Sequence, residues 1–258
     1  EDFDLPDPLI WLTWVAATTE RIKLATGILI VPQRNPVITA KELATLDHLS
    51  GGRMVLGVGA GWLAEEFDAL NASFDDRGKR LDEYIAVMRA LWAGGKTTFD
   101  GDFFQFQDCI SKPTPVDGTI PVIVGGHSKT AARRAGRLGD GFFPGSASTT
   151  EIAELITLVR QTAEEHDRDP DAIEMIAGAV APPGPKLDER VEKLAEIGVT
   201  HAIVPTFPAE ALDGICDSLN ATYGSACHSG PGADTVRPWP APPSPPVVYA
   251  PSSATSSS

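Results

Sequence analysis

Apolar residues in this chain come in two spacings that alternate along its length. Short apolar runs of strand length lie at 22–28, 53–58, 121–124, 140–144, 173–180 and 201–205. Between them the spacing changes to that of helices. Trp11, Leu12, Trp14, Val15 and Ala16 mark a first helix over 7–19, framed by Asp7 and Glu20. Pro36 opens the next, over 36–49, because a missing N–H costs nothing at the first helical position, and Gly51-Gly52 closes it. A short helix is predicted at 63–70. A longer one, at 77–93, carries Leu81, Ile85, Met88 and Trp92 on one face. Further helices are predicted at 128–138, 150–166, 187–197 and 208–220. The segment TTFDGDFFQF at 97–106 reads as a hairpin turning at Asp100-Gly101, and it carries the only antiparallel signal.

Six strands alternating with helices predict a parallel α/β sheet with strands in chain order. In such sheets ligands gather at the carboxyl ends of the strands. Three strands here end in glycine-bearing turns: Gly27 after the first, Gly59-Ala60-Gly61 after the second, and Gly125-Gly126-His127 after the third. Glycine at such a place lets main chain approach a bulky ligand. The stretch from 62 to 120 is far longer than a simple crossover, and long insertions at a strand's carboxyl end often shape a site.

Each turn also has a plainer reading. Gly57, Gly59 and Gly61 fall short of a dinucleotide fingerprint, because the third glycine comes one residue early. Asp75 or Asp76 would have to act as the acid from the start of a helix. These glycines serve equally well to pack strand against helix. Gly125-Gly126-His127-Ser128 opens a helix whose first N–H groups suit a phosphate, yet Ser128 is a good N-cap whatever binds there. His48, His166, His201 and His228 have no metal-ligand spacing, so no metal is expected. Glu65-Glu66 and Asp75-Asp76 read as solvated acids at helix starts. No catalytic residue is nominated.

Charge and composition narrow the partners. A formal net charge of −14 argues against nucleic acid or an anionic membrane. No apolar run of about 18 residues exists to span a bilayer. Cys109, Cys216 and Cys227 are widely spaced and form no CxxC. With an acidic opening unlike a secretory leader, they suit a reducing cytoplasm. Residues 1–225 read as one domain. From 226 to 258 the chain is expected to be a disordered tail, with eight prolines after residue 230 and a serine-rich end.

The run at 17–62, ATTERIKLATGILIVPQRNPVITAKELATLDHLSGGRMVLGVGAGW, resembles the bacterial-luciferase-like flavin and deazaflavin oxidoreductases, most nearly the branch that uses coenzyme F420. EEFDAL, RLDEYIAVMRALW, FFQFQ, PVIVGG, ARRAGRLGDGFFP and HAIVP continue the resemblance in the same order, over about 5–220. It implies a (β/α)8 barrel lacking its first two strands, with an insertion at 62–120. It implies a non-proline cis peptide at Gly27-Ile28, supporting the central ring of the cofactor. Ala60 and Gly61 match the turn along that cofactor. Gly125, Gly126 and His127 match the phosphate turn, with Gly139-Asp140-Gly141 completing its surroundings. The implied activity is hydride transfer between F420 and an unidentified small organic substrate. FMN-dependent monooxygenation and a non-catalytic cofactor- or partner-binding relative are the alternatives. The family's reaction centre takes an acidic or histidine residue from its second strand, for which this sequence offers no substitute. Trp62 stands where some F420-dependent sugar-phosphate dehydrogenases have a carboxylate, which argues against that substrate. Related barrels commonly dimerise through the helices after the first two strands here, where Ala40, Leu43, Ala44, Leu46 and Leu49 lie, so a homodimer is expected.

Overall fold

The computed structural model describes residues 5–145, 147–181 and 184–204. The predicted helix at 208–220 and the tail at 226–258 lie outside them. The elements run α1 (Pro8–Thr18), β1 (Leu24–Ala25), β2 (Leu29–Ile30), α2 (Pro36–Ser50), β3 (Met54–Gly59), α3 (Ala64–Ala69), α4 (Arg77–Trp92), β4 (Thr97–Asp100), β5 (Gln105–Cys109), β6 (Val122–Gly125), α5 (Lys129–Leu138), β7 (Gly141–Phe143), α6 (Thr149–Glu164), β8 (Glu174–Gly178), α7 (Pro185–Glu196) and β9 (His201–Ile203).

Local chemistry sets the helix ends. The Asp7 carboxylate accepts the N–H groups of Leu9 and Ile10, and Asn35 does the same for Val37 and Ile38; a proline follows each at the first helical position. Gly51, at φ +75°, closes α2 in the left-handed conformation. Ser148 and Glu151 form a capping box at α6.

The sheet runs β1-β3-β6-β7-β8-β9, with β2 also on β3, and every neighbouring pair is parallel. The first predicted strand is therefore real but broken. Its two halves, β1 and β2, pair with opposite ends of β3, at Leu24↔Met54 and Leu29↔Val58. Counted as one, they give six strand positions, a half-barrel of the (β/α)8 luciferase-like type. The hairpin β4–β5 is antiparallel, stands outside this sheet and is longer than predicted, reaching Cys109.

One sheet face carries the core. Leu56, Val58, Val122, Val124 and Phe142 point to the helices and are completely buried. Ala40, Leu43, Ala44 and Leu46 of α2 are buried there too, so they form core and not the subunit contact expected of them; of the five residues only Leu49 is exposed. The predicted insertion is an integral part of this layer. Trp92 of α4 is buried and donates its indole N–H to the Ala40 carbonyl at 2.9 Å. Arg89 of α4 pairs with Asp140 at 2.8 Å, and the buried Arg134 of α5 pairs with Asp82. No helix among the described residues is long and apolar enough to cross a membrane.

The hairpin is fastened to α4 by one carboxylate. Glu83 accepts the main-chain N–H groups of Asp102 (2.8 Å), Phe103 (2.9 Å) and Phe104 (2.7 Å). Glu83→Ala leaves three donors without their acceptor, and an expected cost of about 1–3 kcal/mol follows. Amide hydrogen exchange checks it: these three amides should exchange faster while those of β3 and β6 keep their protection.

Candidate functional site at the carboxyl ends of the strands

Register and the two-residue period of a strand place Gly57 and Gly59 of β3, Ile123 and Gly125 of β6, and Gly141 and Phe143 of β7 on the face away from the helices. Three of the positions nearest the rim are thus glycine, and the space they leave is filled by one residue. Between β1 and β2 the segment Thr26-Gly27-Ile28 leaves the strand line, and the Gly27–Ile28 peptide is cis. The Thr26 hydroxyl donates to the Gly57 carbonyl at 2.7 Å. A Cβ at Gly57 would fall on the Thr26 carbonyl oxygen, and one at Gly59 would fall on the end of the Ile28 side chain. At Gly125 it would stand 2.8 Å from Ile28 Cγ2. Ile28 therefore lies across three glycines on two strands. Gly27 is exposed, and a Cβ there would meet nothing within 4 Å. The bulge presents main chain outward to open space.

The second turn stands beside the first. Gly61 has φ +85°, and a Cβ there would lie 2.7 Å from the Phe67 ring and 2.9 Å from Ile30 Cγ2. Only glycine fits. Arg77, from the first turn of α4, donates Nε–H to the Gly61 carbonyl at 3.1 Å. Its guanidinium lies 3.8 Å over the Phe74 ring, which meets Phe67 edge to face. Gln33, just past β2, donates to Glu66 of α3 at 2.9 Å. Ala60 is half-buried between these anchors. Sequence reasoning missed Arg77 and Gln33, whose partners lie 16 and 33 residues away.

The third turn differs from expectation in detail. Gly126, at φ +133°, spends its own N–H on the Phe143 carbonyl at 3.0 Å, so it offers a ligand no donor. Ser128 caps α5 by accepting the Ala131 N–H at 3.2 Å. The N–H groups of Lys129 and Thr130 have no partner within the helix. His127 is exposed and lies close enough to α6 for its charge to favour the ionised Glu151. The Glu151 carboxyl is held below its ordinary range chiefly by the Ser148 hydroxyl and N–H, with His127 a smaller influence.

One expectation at this turn is corrected. Gly139-Asp140-Gly141 do not complete the turn's surroundings. Asp140 accepts the Val122 N–H at 2.8 Å, which puts all three at the amino ends of β6 and β7, a strand length away. The basic face of α5 is largely neutralised: Arg134 and Arg137 share Asp82, leaving Arg133 exposed.

The structure thus gathers Gly27, Ile28, Ala60, Gly61, Gly125, Gly126 and His127 along one rim of three adjacent strands. Among the described residues no group of three or more His, Cys, Asp or Glu is placed to hold a metal ion.

A parallel half-barrel with a glycine-lined rim at its carboxyl edge is an α/β barrel scaffold of the ligand-binding kind. The family model for luciferase-like monooxygenases matches residues 1–214, and the chain belongs to that family. It is 33% identical over 198 residues to an uncharacterized protein of Mycobacterium tuberculosis, covering 76% of this chain and 68% of that one. It is 35% identical over 176 residues to the F420-dependent glucose-6-phosphate dehydrogenase of the same organism, covering 66% of this chain but only 52% of the relative. The chain therefore spans about half of that enzyme. Among solved structures, an F420-dependent secondary alcohol dehydrogenase superposes with a TM-score of 0.72 at 19% identity, covering 85% of this chain and 84% of the other. The F420-dependent tetrahydromethanopterin reductase of Methanopyrus kandleri gives 0.69 at 19% identity, covering 78% and 83%. The monooxygenase RslO1 of Streptomyces bottropensis gives 0.61 at 23%, covering 89% and 80%. These likenesses establish the fold.

The glycine cradle makes a sharp prediction. Gly57→Ala forces a methyl group onto a main-chain carbonyl that cannot rotate away. An expected loss of about 3 kcal/mol follows, seen as a fall in denaturant midpoint at unchanged m-value.

Proposed function

We propose that this chain carries the cofactor site of an F420-dependent oxidoreductase, which passes a hydride between the deazaflavin and a small organic substrate. The observation that carries the reading is the rim at Gly27-Ile28, Gly61 and Gly125-Gly126. It offers a flat ligand exposed main chain, held from behind by Ile28 on its three glycines. The residues fit such a group. A bare bulge faces open space, a positive-φ turn stands beside it, and after the next strand a helix starts whose Lys129 and Thr130 N–H groups have no partner among the described residues. Gly27 and Ile28 would support the ring, Ala60 and Gly61 would run along it, and Lys129 and Thr130 N–H would receive the phosphate, with His127 beside them. The hydride chemistry is the cofactor's own. The protein binds, orients and keeps water away. Two relatives in this fold named as F420-dependent support the choice of cofactor, together with the F420-dependent dehydrogenase that shares 35% identity.

FMN-dependent monooxygenation is the second reading, favoured by the family's description and by the monooxygenase of similar fold. A non-catalytic binder is the third. It is favoured by the lack of any titratable strand residue at the rim among the described residues; Glu174, the acid on that face of β8, pairs with Gly141 at the far end.

Fluorescence titration with F420 and with FMN tests the reading. Gly126→Asp introduces a carboxylate beside the phosphate turn, while Gly126→Ala imposes the same φ strain without the charge. Binding of F420 to wild type, with a further loss of about tenfold in the aspartate variant relative to alanine, is expected. Equal affinities for the two variants place the phosphate elsewhere. Tighter FMN binding selects the monooxygenase reading, and turnover in the absence of F420 in either redox state excludes ours.

A homodimer belongs to the same proposal, through a groove of 470 Å³ between α1 and α2. Ile10, Ile38 and Leu49 are exposed along it, and Lys41 and Glu42 give it both charges, as a self-complementary contact requires. Sedimentation velocity at micromolar concentration should find a dimer that Leu49→Glu dissociates. A monomeric wild type overturns this contact.

A further inference from the structure

Trp62 immediately follows the Gly61 turn, and it is 81% exposed. Tryptophan is highly buried on average, and an indole left in water forgoes the stabilisation that covering it would bring. Among the described residues its ring has no aromatic or cation partner and its N–H no hydrogen bond. Its mounting, by contrast, is rigid. The preceding carbonyl is held by Arg77 at 3.1 Å, Arg77 is stacked on Phe74, and Phe67 is buried beneath the turn. Trp62 is therefore not a loose loop side chain. It is a bare aromatic face carried on a fixed support, three residues beyond Gly59 on which Ile28 rests.

The charge around it is one-sided. From Trp62 to Asp75 the chain holds Glu65, Glu66, Asp68 and Asp75 and no lysine or arginine, while the Asp76 that follows is paired with Arg80 at 2.6 Å. Glu65, Glu66 and Asp68 are exposed. The nearest cation in sequence, Arg77, is turned onto the Gly61 and Phe74 carbonyls and keeps its charge, one cation against the three exposed carboxylates of α3. A phosphorylated or carboxylated compound would approach this face against the net negative field of the exposed α3 carboxylates.

We propose that Trp62 is the substrate-side platform of the site, selecting a flat conjugated ring that carries no negative charge. The proposal rests on the rim being the place of reaction, as argued above, and it adds the substrate class. A planar ring stacked on the indole removes both faces from water. The acidic α3 rejects the anionic analogue, so preference comes from attraction and repulsion together.

Equilibrium dialysis of the full chain against 2-naphthol and naphthalene-2-sulfonate, a matched neutral and anionic pair, tests it. Wild type is expected to bind 2-naphthol about tenfold more tightly than the sulfonate. Trp62→Phe, which keeps an aromatic face, retains most of that affinity. Trp62→Ala loses about tenfold. F420 affinity, measured in parallel, is the same in all three proteins, and circular dichroism confirms their folding. Undiminished naphthol binding in Trp62→Ala overturns the proposal, as does equal binding of the sulfonate. A matching loss of F420 affinity also overturns it, by making Trp62 a cofactor contact; so does a change in oligomeric state, by making it a subunit contact. If wild type binds neither F420 nor FMN, the cofactor reading fails. The naphthol comparison on the cofactor-free chain still decides the platform.

Discussion

The close approach of one side chain to two strands governs this structure. Ile28 can lie where it does only because positions 57, 59 and 125 have no side chain. Once it lies there, the first strand cannot continue straight, so it breaks into β1 and β2 around the bulge. The break turns Gly27 toward open space and delivers Ile30 to the Gly61 turn, where its Cγ2 and Phe67 leave no room for a Cβ. A rim of exposed main chain on three strands thus follows from removing side chains behind it. Packing at protein density makes such an arrangement all or none, because a single methyl group has no space into which to relax.

A second layer of constraint comes from α4, which the chain order would make part of an insertion. Trp92 ties it to α2, Arg89 to the start of β7, Asp82 to α5, Glu83 to the hairpin and Arg77 to the rim. Isolated exposed ion pairs contribute little to stability. Several of these differ, since they end on main-chain groups or, like Arg134, are buried and would be costly unpaired. Their effect is geometric. The helix that supports the Gly61 turn is itself fixed to the sheet at both of its neighbours, so the rim has little freedom to shift relative to the core.

Much of this was legible in the sequence, and the misses share a cause. Asn35-Pro36 and Gly51 announce the ends of α2 because capping acts within a few residues. The parallel order follows from alternating periodicities. Gly27 marks an end to the first strand, but the return of the chain to β3 as β2 is not legible locally, because the bulge is fixed by Gly57, 31 residues from Thr26. Gly139-Asp140-Gly141 looks like another ligand turn, yet its aspartate serves Val122 at the amino end. Nothing near Arg134 and Arg137 in sequence shows that Asp82, more than 50 residues earlier, takes both of them. The small residues of α2 suggest an interface, and they are the core. Local patterns predict elements and glycine turns well. They do not reveal which distant charge or backbone meets a residue.

The determinants of the rim are unevenly distributed, and that bears on what the chain can do. Ile28, its glycine cradle, the Gly61 turn and the start of α5 all lie on β1–β2, β3 and β6, three adjacent strand positions. Their contacts are with one another and with α4, so this part of the rim assembles without help from β8 or β9. A proton donor or acceptor is a different matter. On the strands' free face the titratable side chains are Glu174 at the amino end and His201 on the outermost strand, where it meets only the Thr200 hydroxyl among the described residues. Under the proposed reading, holding a flat ring and its phosphate would depend on shape, which the glycine positions set, and on main-chain donors at the start of α5. Catalysing a proton transfer alongside it demands a side chain of suitable pKa within reach. Binding and turnover therefore rest on separate physical requirements in this chain. Under the proposed reading the first falls to β1–β2, β3 and β6, the strands along one side of the sheet, and the second to groups outside those strands.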